Sequence, residues 1–202
     1  MTKSDQERAL TATRILDVAE RLVQVRGFNG FSYADISAEL HVTKAAVHYH
    51  FASKAELGRS LIERYSARFV AALADVEART SDASVRLREY ANLYVEVLRD
   101  HRMCLCGMMA ADFETLPEPM QAAVLRYFSE NQLWLSGVLD QGRESGTVEF
   151  AGSPDEVASM ILGGFEGAML IARPRGDVVG FESSIGRLLE GLQPRDVVAG
   201  PR

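Results

Sequence analysis

A short stretch near the N-terminus carries side chains suited to contact an anionic surface. Between Val42 and Ser53 the chain has no Asp or Glu, although it has several hydrogen-bond donors. In a helix over this stretch, the residues expected to face outward are Lys44, Ala45, Ala46, His48, Tyr49 and His50. A solvated face of an ordinary helical hairpin would be rich in Glu and Gln. The residue types therefore favour contact with phosphate groups, and the length of the stretch fits the major groove of DNA.

Two cysteines, Cys104 and Cys106, form the second group of side chains that could take part in chemistry. Successive helical residues turn by about 100°, so on a regular helix these two thiols point to nearly opposite sides. This arrangement disfavours an intrachain disulfide or a two-cysteine metal site, and no cluster of metal-ligand residues accompanies the pair. Buried structural cysteines are the simpler interpretation, and we expect neither a metal nor another cofactor.

The acid-free stretch is predicted to be the second of two short helices joined by a tight turn. Ser32 is placed to cap the first helix, in which Ile36 and Leu40 share one face. Thr43 is placed to cap the second helix, and Val47 then points back toward the first. This pairing would leave the polar side of the second helix exposed.

The same stretch resembles the DNA-binding signature of the TetR/AcrR family of transcriptional regulators. The resemblance covers roughly residues 8–60 and is carried by Gly27-Phe28, Ser32, Asp35-Ile36, Val42-Thr43-Lys44, His48-Tyr49-His50-Phe51, Lys54 and Leu57. The chain departs from the family pattern at His48, where an aromatic ring is frequent, and at His41, where glycine is usual. We therefore expect His41 to adopt a left-handed backbone conformation, which is uncommon for a residue with a β-carbon.

The resemblance implies an all-α fold with two domains. Residues 1–53 would form a three-helix DNA-binding domain with a helix-turn-helix, and residues 54–202 a larger helical domain for ligand binding and dimerisation. The base edges would be contacted by Thr43, Lys44, Ala45, Ala46 and His50, and the phosphate backbone by Tyr33, Tyr49 and Lys54, with His48 on the same surface. Phosphate contacts position such a domain, whereas base contacts give it sequence preference.

The net charge of −6 is divided unevenly along the chain. Residues 1–60 hold eight Lys or Arg and seven Asp or Glu, whereas residues 61–202 hold fourteen and twenty-one. The predicted DNA-binding part is thus mildly basic and the rest is acidic. So small a positive charge predicts weak binding by one copy, and two linked copies are expected.

The eighth predicted helix, which begins after Ser153 and ends before Pro174, is apolar on nearly all sides. It is either a buried core helix or a subunit interface, and we favour the interface because its glycines would allow close helix approach. In TetR-like proteins the last two helices pair with those of a second copy. The predicted interface residues are Ile161, Gly163, Gly164, Gly167, Leu170, Ile185 and Leu188. A two-fold dimer would place two recognition helices about 34–36 Å apart, which matches one turn of DNA.

The C-terminal part is rich in aromatic and sulfur-bearing residues. Such residues at helical spacing usually form ordinary core. The resemblance implies that some of them line an effector cavity, and the candidates are Tyr90, Tyr94, Cys104, Met108, Phe113, Tyr127, Trp134 and Phe165. The run from Cys104 to Met120 also resembles a TetR branch that responds to small electrophiles such as acrylate, quinones or aldehydes. In that branch a cysteine at the position of Cys104 can be the sensor, which requires an exposed thiol of lowered pKa.

We interpret the chain as a homodimeric transcriptional repressor that binds double-stranded operator DNA and is released by a small-molecule effector acting through the fourth helix. We expect it to be cytoplasmic, because its two cysteines fit a reducing compartment and its N-terminus lacks a signal peptide's apolar segment. We do not expect an enzyme, because no His-Asp pair or cofactor loop lies near the cysteines in the sequence. No apolar run approaches the roughly 18 residues that span a membrane. Two other functions stay open, a thiol-dependent enzyme acting on electrophiles and a helical adaptor that does not bind DNA.

Overall fold

The computed structural model describes residues 3–194, except the side chains of Lys3 and Ser4, and this part of the chain is helical without strands. Its α-helices are α1 (Lys3–Arg26), α2 (Tyr33–Leu40), α3 (Lys44–His50), α4 (Lys54–Arg79), α5 (Ala83–Arg99), α6 (Leu105–Ala111), α7 (Glu118–Ser145), α8 (Pro154–Ala172) and α9 (Val178–Glu190). Short 3-10 turns occupy Phe113–Thr115 and Arg173–Arg175. The predicted all-α class is confirmed. Among the helices of residues 3–194, none is both long and apolar enough to cross a membrane.

The chain folds into two compact units. Among the described residues, the first unit comprises those up to Val70 together with Arg102–Phe128, and the second comprises Ala71–His101 together with residues 129–194. Helices α4 and α7 each contribute residues to both units. The predicted DNA-binding domain, residues 1–53, lies within the first unit, and the boundary at residues 53 and 54 stays a prediction.

The core of the first unit is built on the inner stripe of α1. Ile15, Ala19 and Val23 are completely buried, and Leu22 is nearly so. Phe51, which follows α3, is also buried. Burial of a large apolar side chain is worth about 1.5–3 kcal/mol relative to exposure, so this core holds the short helices that cannot stabilise themselves.

Charged side chains connect α1 to α4 beside this core. The carboxylate of Glu20, which is largely buried, accepts a hydrogen bond from Arg64 at 2.7 Å and another from Arg68 at 2.5 Å. Arg64 also donates to Asp17 at 2.7 Å. Removal of either arginine would leave part of a buried negative charge unpaired, which is the costly way to break a buried ion pair.

The turn between α2 and α3 has the conformation that the sequence predicted. Ser32 precedes α2 in an extended conformation, and its backbone N–H donates to the carboxylate of Asp35 at 2.8 Å. His41 has φ 55° and ψ 42°, in the left-handed region. The backbone N–H of Ala46 then donates to the hydroxyl oxygen of Thr43 at 3.1 Å, which caps α3.

The second unit is held together by α5, α8 and α9, which pack against one another. Phe165 of α8 and Phe181 of α9 are buried in its interior. Helix α8 begins after Ser153, as predicted, and it starts with a capping box. The N–H of Ser153 donates to Glu156, and the N–H of Glu156 donates to the hydroxyl of Ser153. Pro154 occupies the first helical turn, where its missing N–H is tolerated.

Replacement of His41 by Gly is expected to stabilise the first unit. The left-handed conformation costs a residue with a β-carbon roughly 1–2 kcal/mol in conformational energy, and glycine does not have this cost. We expect the free energy of unfolding, measured in urea, to rise by about 1 kcal/mol. His41→Ala is the matched control, because alanine keeps the β-carbon. Equal unfolding free energies for the two variants would contradict the assignment of strain to this turn.

Candidate nucleic-acid interface

Helix α3 presents the side chains that the sequence placed on its outer face. Val47 is the fully buried residue of the helix, and it fixes which side faces inward. Lys44, Ala45 and His48 are exposed, and Tyr49 is 65% exposed. Thr43 is exposed as well, and Ala46 and His50 are half-buried. The helix carries no acid, so its exposed face can approach a phosphate backbone without like-charge repulsion.

Tyr33 lies in the interior of the first unit. It is 8% exposed, and its hydroxyl donates to the backbone carbonyl of Phe51 at 3.0 Å. Burial raises the pKa of Tyr33 to about 12, and the nearby carboxylate of Glu56 contributes in the same direction. The predicted phosphate contact through this hydroxyl is corrected, because the hydroxyl points inward and closes the C-terminal end of α3.

Lys54 holds the loop that precedes α2. Its ammonium donates to the carbonyl of Phe31 at 2.5 Å and lies 4.7 Å and 4.3 Å from the ring centroids of Phe28 and Phe31. Burial lowers the pKa of Lys54, and the carboxylates of Asp112 and Asp35 oppose that shift. Since this ammonium already binds a carbonyl and faces two rings, its first role is structural. The predicted phosphate contact of Lys54 stays a prediction.

Aromatic contacts position the rings at the exposed end of α3. The guanidinium of Arg8 lies 4.9 Å from the ring centroid of Tyr49, and the ring of His50 lies 5.4 Å from it. The ring of His48 packs 4.6 Å from that of Tyr33. Arg8 is an exposed residue of α1. No local pattern reveals its contact with Tyr49, because the two residues are far apart in the chain.

The two cysteines are both buried thiols. The Sγ atom of Cys104 accepts a hydrogen bond from the N–H of Gly107 at 3.4 Å, and so caps α6. It also lies 3.8 Å from the hydroxyl of Tyr127. Cys106 lies within α6 and is completely buried. The interpretation of these residues as buried cysteines is confirmed, and the exposed thiol that a sensor requires is not presented in this conformation.

The predicted effector residues fall into two groups. Tyr90, Tyr94, Trp134 and Phe165 lie in the second unit, and Cys104, Met108, Phe113 and Tyr127 lie in the first. In the second unit the ring of Tyr90 stacks on Trp134 at 5.6 Å, and Phe165 lies 5.8 Å and 5.5 Å from Tyr90 and Tyr94. The four residues of the second unit thus form an aromatic cluster, and in the first unit Cys104 lies against Tyr127. The sequence did not indicate that the candidates belong to different units.

Hydrogen bonds run through the aromatic cluster of the second unit. The hydroxyl of Tyr90 donates to the side-chain oxygen of Asn131 at 3.3 Å and lies 3.1 Å from the hydroxyl of Tyr94. The indole N–H of Trp134 donates to Glu77 at 2.9 Å. These hydrogen bonds satisfy the polar groups of the cluster and fix the orientation of its rings.

Two of the predicted interface residues face the interior of their own chain. Ile161 is 0% exposed and Ile185 is 4% exposed, so their predicted contact with a second copy is corrected. Gly164 has a packing role within the chain, because a β-carbon there would lie 2.8 Å from Leu188. These residues hold α8 against α9 and leave the opposite side of α8 for other contacts.

That opposite side of α8 is open. A β-carbon at Gly163 or Gly167 would meet no atom within 4 Å, and Leu170 is 58% exposed. The sequence interpretation did not include Met160 and Ile171, which are also exposed. Their spacing along α8 was available as a signal, but on a helix that is apolar all round it does not distinguish the inner side from the outer one.

Comparison with known proteins agrees with this architecture. Residues 15–61 match the family described as bacterial regulatory proteins, tetR family, and residues 83–185 match the family described as tetracyclin repressor-like, C-terminal domain. The structure is similar to a TetR-family transcriptional regulator from Agrobacterium tumefaciens, with a TM-score of 0.89 and 32% identity, covering 93% of this chain and 100% of that one.

Sequence comparison with characterised proteins gives the same family. The HTH-type transcriptional repressor DhaR of Mycobacterium sp. (strain GP1) is 27% identical over 149 residues, which are 72% of this chain and 73% of that protein. The HTH-type transcriptional repressor NemR of Escherichia coli K12 is 25% identical over 167 residues, 81% of this chain and 84% of that protein. The chain therefore belongs to the TetR family of bacterial transcriptional regulators.

Proposed function

We propose that the protein is a homodimeric transcriptional repressor that binds operator DNA through α3 of each copy and releases it when a small molecule binds. The observation that carries the proposal is the exposed, acid-free face of α3. The relatives named as repressors support a regulator rather than an enzyme.

The base contacts are assigned to the first turn of α3. In helix-turn-helix proteins the N-terminal residues of the second helix reach the base edges. Lys44 is the first residue of α3 and is exposed, so its ammonium can reach guanine acceptors. The methyl groups of Ala45 and Ala46 suit contact with a thymine methyl group. Tyr49, which the guanidinium of Arg8 supports, is placed for the phosphate backbone.

The second copy is proposed to pack on the open side of α8 and α9. A groove of about 470 Å³ lies along these helices, and its lining includes Gly163, Gly167 and Gly180. Leu170 and Ile171 are exposed on α8. Contiguous apolar surface is typical of interaction sites, and the glycines allow a partner helix to approach the backbone closely. A two-fold axis through this surface would give the dimer the symmetry of a palindromic operator.

The effector is proposed to be a small organic molecule, with electrophiles as one candidate class. The aromatic and hydroxyl groups of the second unit suit a molecule that has both apolar and hydrogen-bonding parts. A reaction with Cys104 or Cys106 would require local opening of α6, because both thiols are buried. The effector acts if it binds more tightly to the conformation that does not bind DNA.

Replacement of Lys44 by Ala is expected to relax sequence preference at one base pair of each half-site. A good lysine contact to guanine discriminates against other bases by about 1–3 kcal/mol, and the variant loses it. The operator is first selected from random duplex DNA. Affinities for the operator and its single-base variants are then measured by fluorescence anisotropy at one fixed salt concentration.

Lys54→Ala provides the contrast for this experiment. Lys54 holds the loop at Phe31, so its loss should lower affinity for all duplexes by a similar factor. It should also lower the unfolding free energy of the DNA-binding head, by which we mean helices α1 to α3 and the loops between them. If Lys44→Ala weakens every duplex equally, the placement of α3 in the groove is wrong.

Replacement of Leu170 by Glu is expected to convert the protein from dimer to monomer. The new carboxylate would have to be buried without a partner in the proposed interface, which is strongly unfavourable. Multi-angle light scattering should give twice the mass of one chain for the unaltered protein and about half that value for the variant. Leu125→Glu is the matched control, because Leu125 of α7 is 57% exposed against 58% for Leu170. A monomeric unaltered protein, or a dimeric Leu170→Glu variant, would contradict the proposed interface.

A further inference from the structure

The residues just before α6 are hydrogen-bonded to α1. The N–H of Met103 donates to the backbone carbonyl of Gln24 at 3.2 Å, and the side-chain amide of Gln24 donates back to the carbonyl of Met103 at 3.0 Å. Gln24 is 2% exposed, so water does not compete for these bonds. Two reciprocal bonds between segments so distant in sequence fix the start of α6 on the DNA-binding head.

The other end of α6 is bonded to the loop between α1 and α2. The carboxylate of Asp112 accepts from the N–H of Asn29 at 3.3 Å, and the side-chain amide of Asn29 donates to Thr115 at 2.7 Å. Gly27 has φ +82°, and a β-carbon there would lie 3.1 Å from the carboxylate of Asp112. The absence of a side chain at Gly27 is therefore what lets the carboxylate approach the loop.

The loop held by Asp112 leads directly into the recognition motif. Three residues after Asn29 comes Ser32, the N-cap of α2, and α2 packs against α3. The loop is held a second time where Lys54 donates to the carbonyl of Phe31. A shift of this loop would therefore move the start of α2, and with it the orientation of α3.

We propose that α6 acts as a latch on the DNA-binding head, through the contacts of Met103 with Gln24 and of Asp112 and Thr115 with Asn29. The latched position of α6 holds the loop before α2 in the arrangement that binds DNA, and its release loosens the head. This inference rests on the proposed function as a DNA-binding regulator. It adds a route of communication that does not depend on movement of α4.

The contacts of the latch are weak enough for it to open at a modest cost in free energy. The bonds of Asn29 are exposed to water, which weakens their net contribution. At the other end, the oxygen of the Gln24 amide is buried and has no hydrogen-bond partner. An incompletely satisfied buried amide reduces the stability of the closed state. The segment between the two ends holds Cys104 and Cys106, whose thiols become accessible only when α6 opens.

Linkage between DNA binding and latch closure supplies the test. If DNA binds the latched conformation more tightly, then bound operator must in return hold α6 closed. The rate at which Cys104 and Cys106 react with an aromatic disulfide reagent, followed by the colour of the released thiolate, reports that opening. In the unaltered full-length protein we expect saturating operator to slow this reaction at least about fivefold, the lower end of usual couplings between sites.

The variant that tests the latch combines Asn29→Ala with Asp112→Ala. It removes the exposed end of the latch and leaves Lys44, Tyr49 and both cysteines in place. In this variant we expect operator, at saturation, to slow thiol labelling by less than about twofold. Asn92→Ala on α5 is the matched control, because Asn92 is likewise exposed and its side-chain amide donates to Glu89 of the same helix. The control should keep the full protection.

Each outcome bears on one proposal. Equal protection in the unaltered protein and the double variant would overturn the latch, and so would the absence of protection in an unaltered protein that binds operator. Absence of binding to any selected duplex would instead contradict the proposed function. If the thiols do not react, hydrogen exchange at the amides of Met103 and Asn29, measured with and without operator, decides by the same criteria.

Discussion

The recognition helix is too short to hold its own shape, and this constraint governs the first unit. Isolated helices below about 12–15 residues are marginal in water, and α3 has seven residues with Val47 as its fully buried side chain. Its start is fixed by the left-handed turn at His41 and the cap at Thr43. Its end is fixed where Tyr33 donates to the carbonyl of Phe51. The exposed face of α3 is therefore only as well oriented as the residues around it, and anything that displaces them changes how that face meets DNA.

Features that depend on neighbouring residues were predictable from the sequence. Ser32, His41 and Ser153 act within a few positions of themselves, so their capping and turn roles follow from residue type and spacing. The side of α8 that faces its own chain did not follow. The helix is apolar all round, and hydrophobic periodicity then gives no direction, which is why Ile161 was assigned to the interface although it is buried within the chain. Ile185 of α9 was assigned with it because the resemblance implied that the last two helices pair with a second copy.

Contacts between distant residues explain the remaining differences. The sequence identified Tyr33 and Lys54 as polar groups near the DNA, but their partners, the carbonyls of Phe51 and Phe31, are set by tertiary packing. The same holds for Asp112, which lies 83 residues from Asn29 in the chain. Residue type therefore indicated which side chains have chemical capacity. Only the folded chain shows which of these side chains make hydrogen bonds within the DNA-binding part.

A weak latch is sufficient for control because the proposed repressor binds DNA with two heads. Binding of the second head is an intramolecular step, and its advantage is lost when geometry forbids simultaneous engagement. A loosened loop before α2 in either copy would therefore lower affinity by more than the contacts of one head. Couplings between sites are typically about 1–3 kcal/mol, a scale that a few partly exposed hydrogen bonds such as those of Asn29 can supply. A much more stable latch would hold the head in one state, and an effector of ordinary affinity could not then release it.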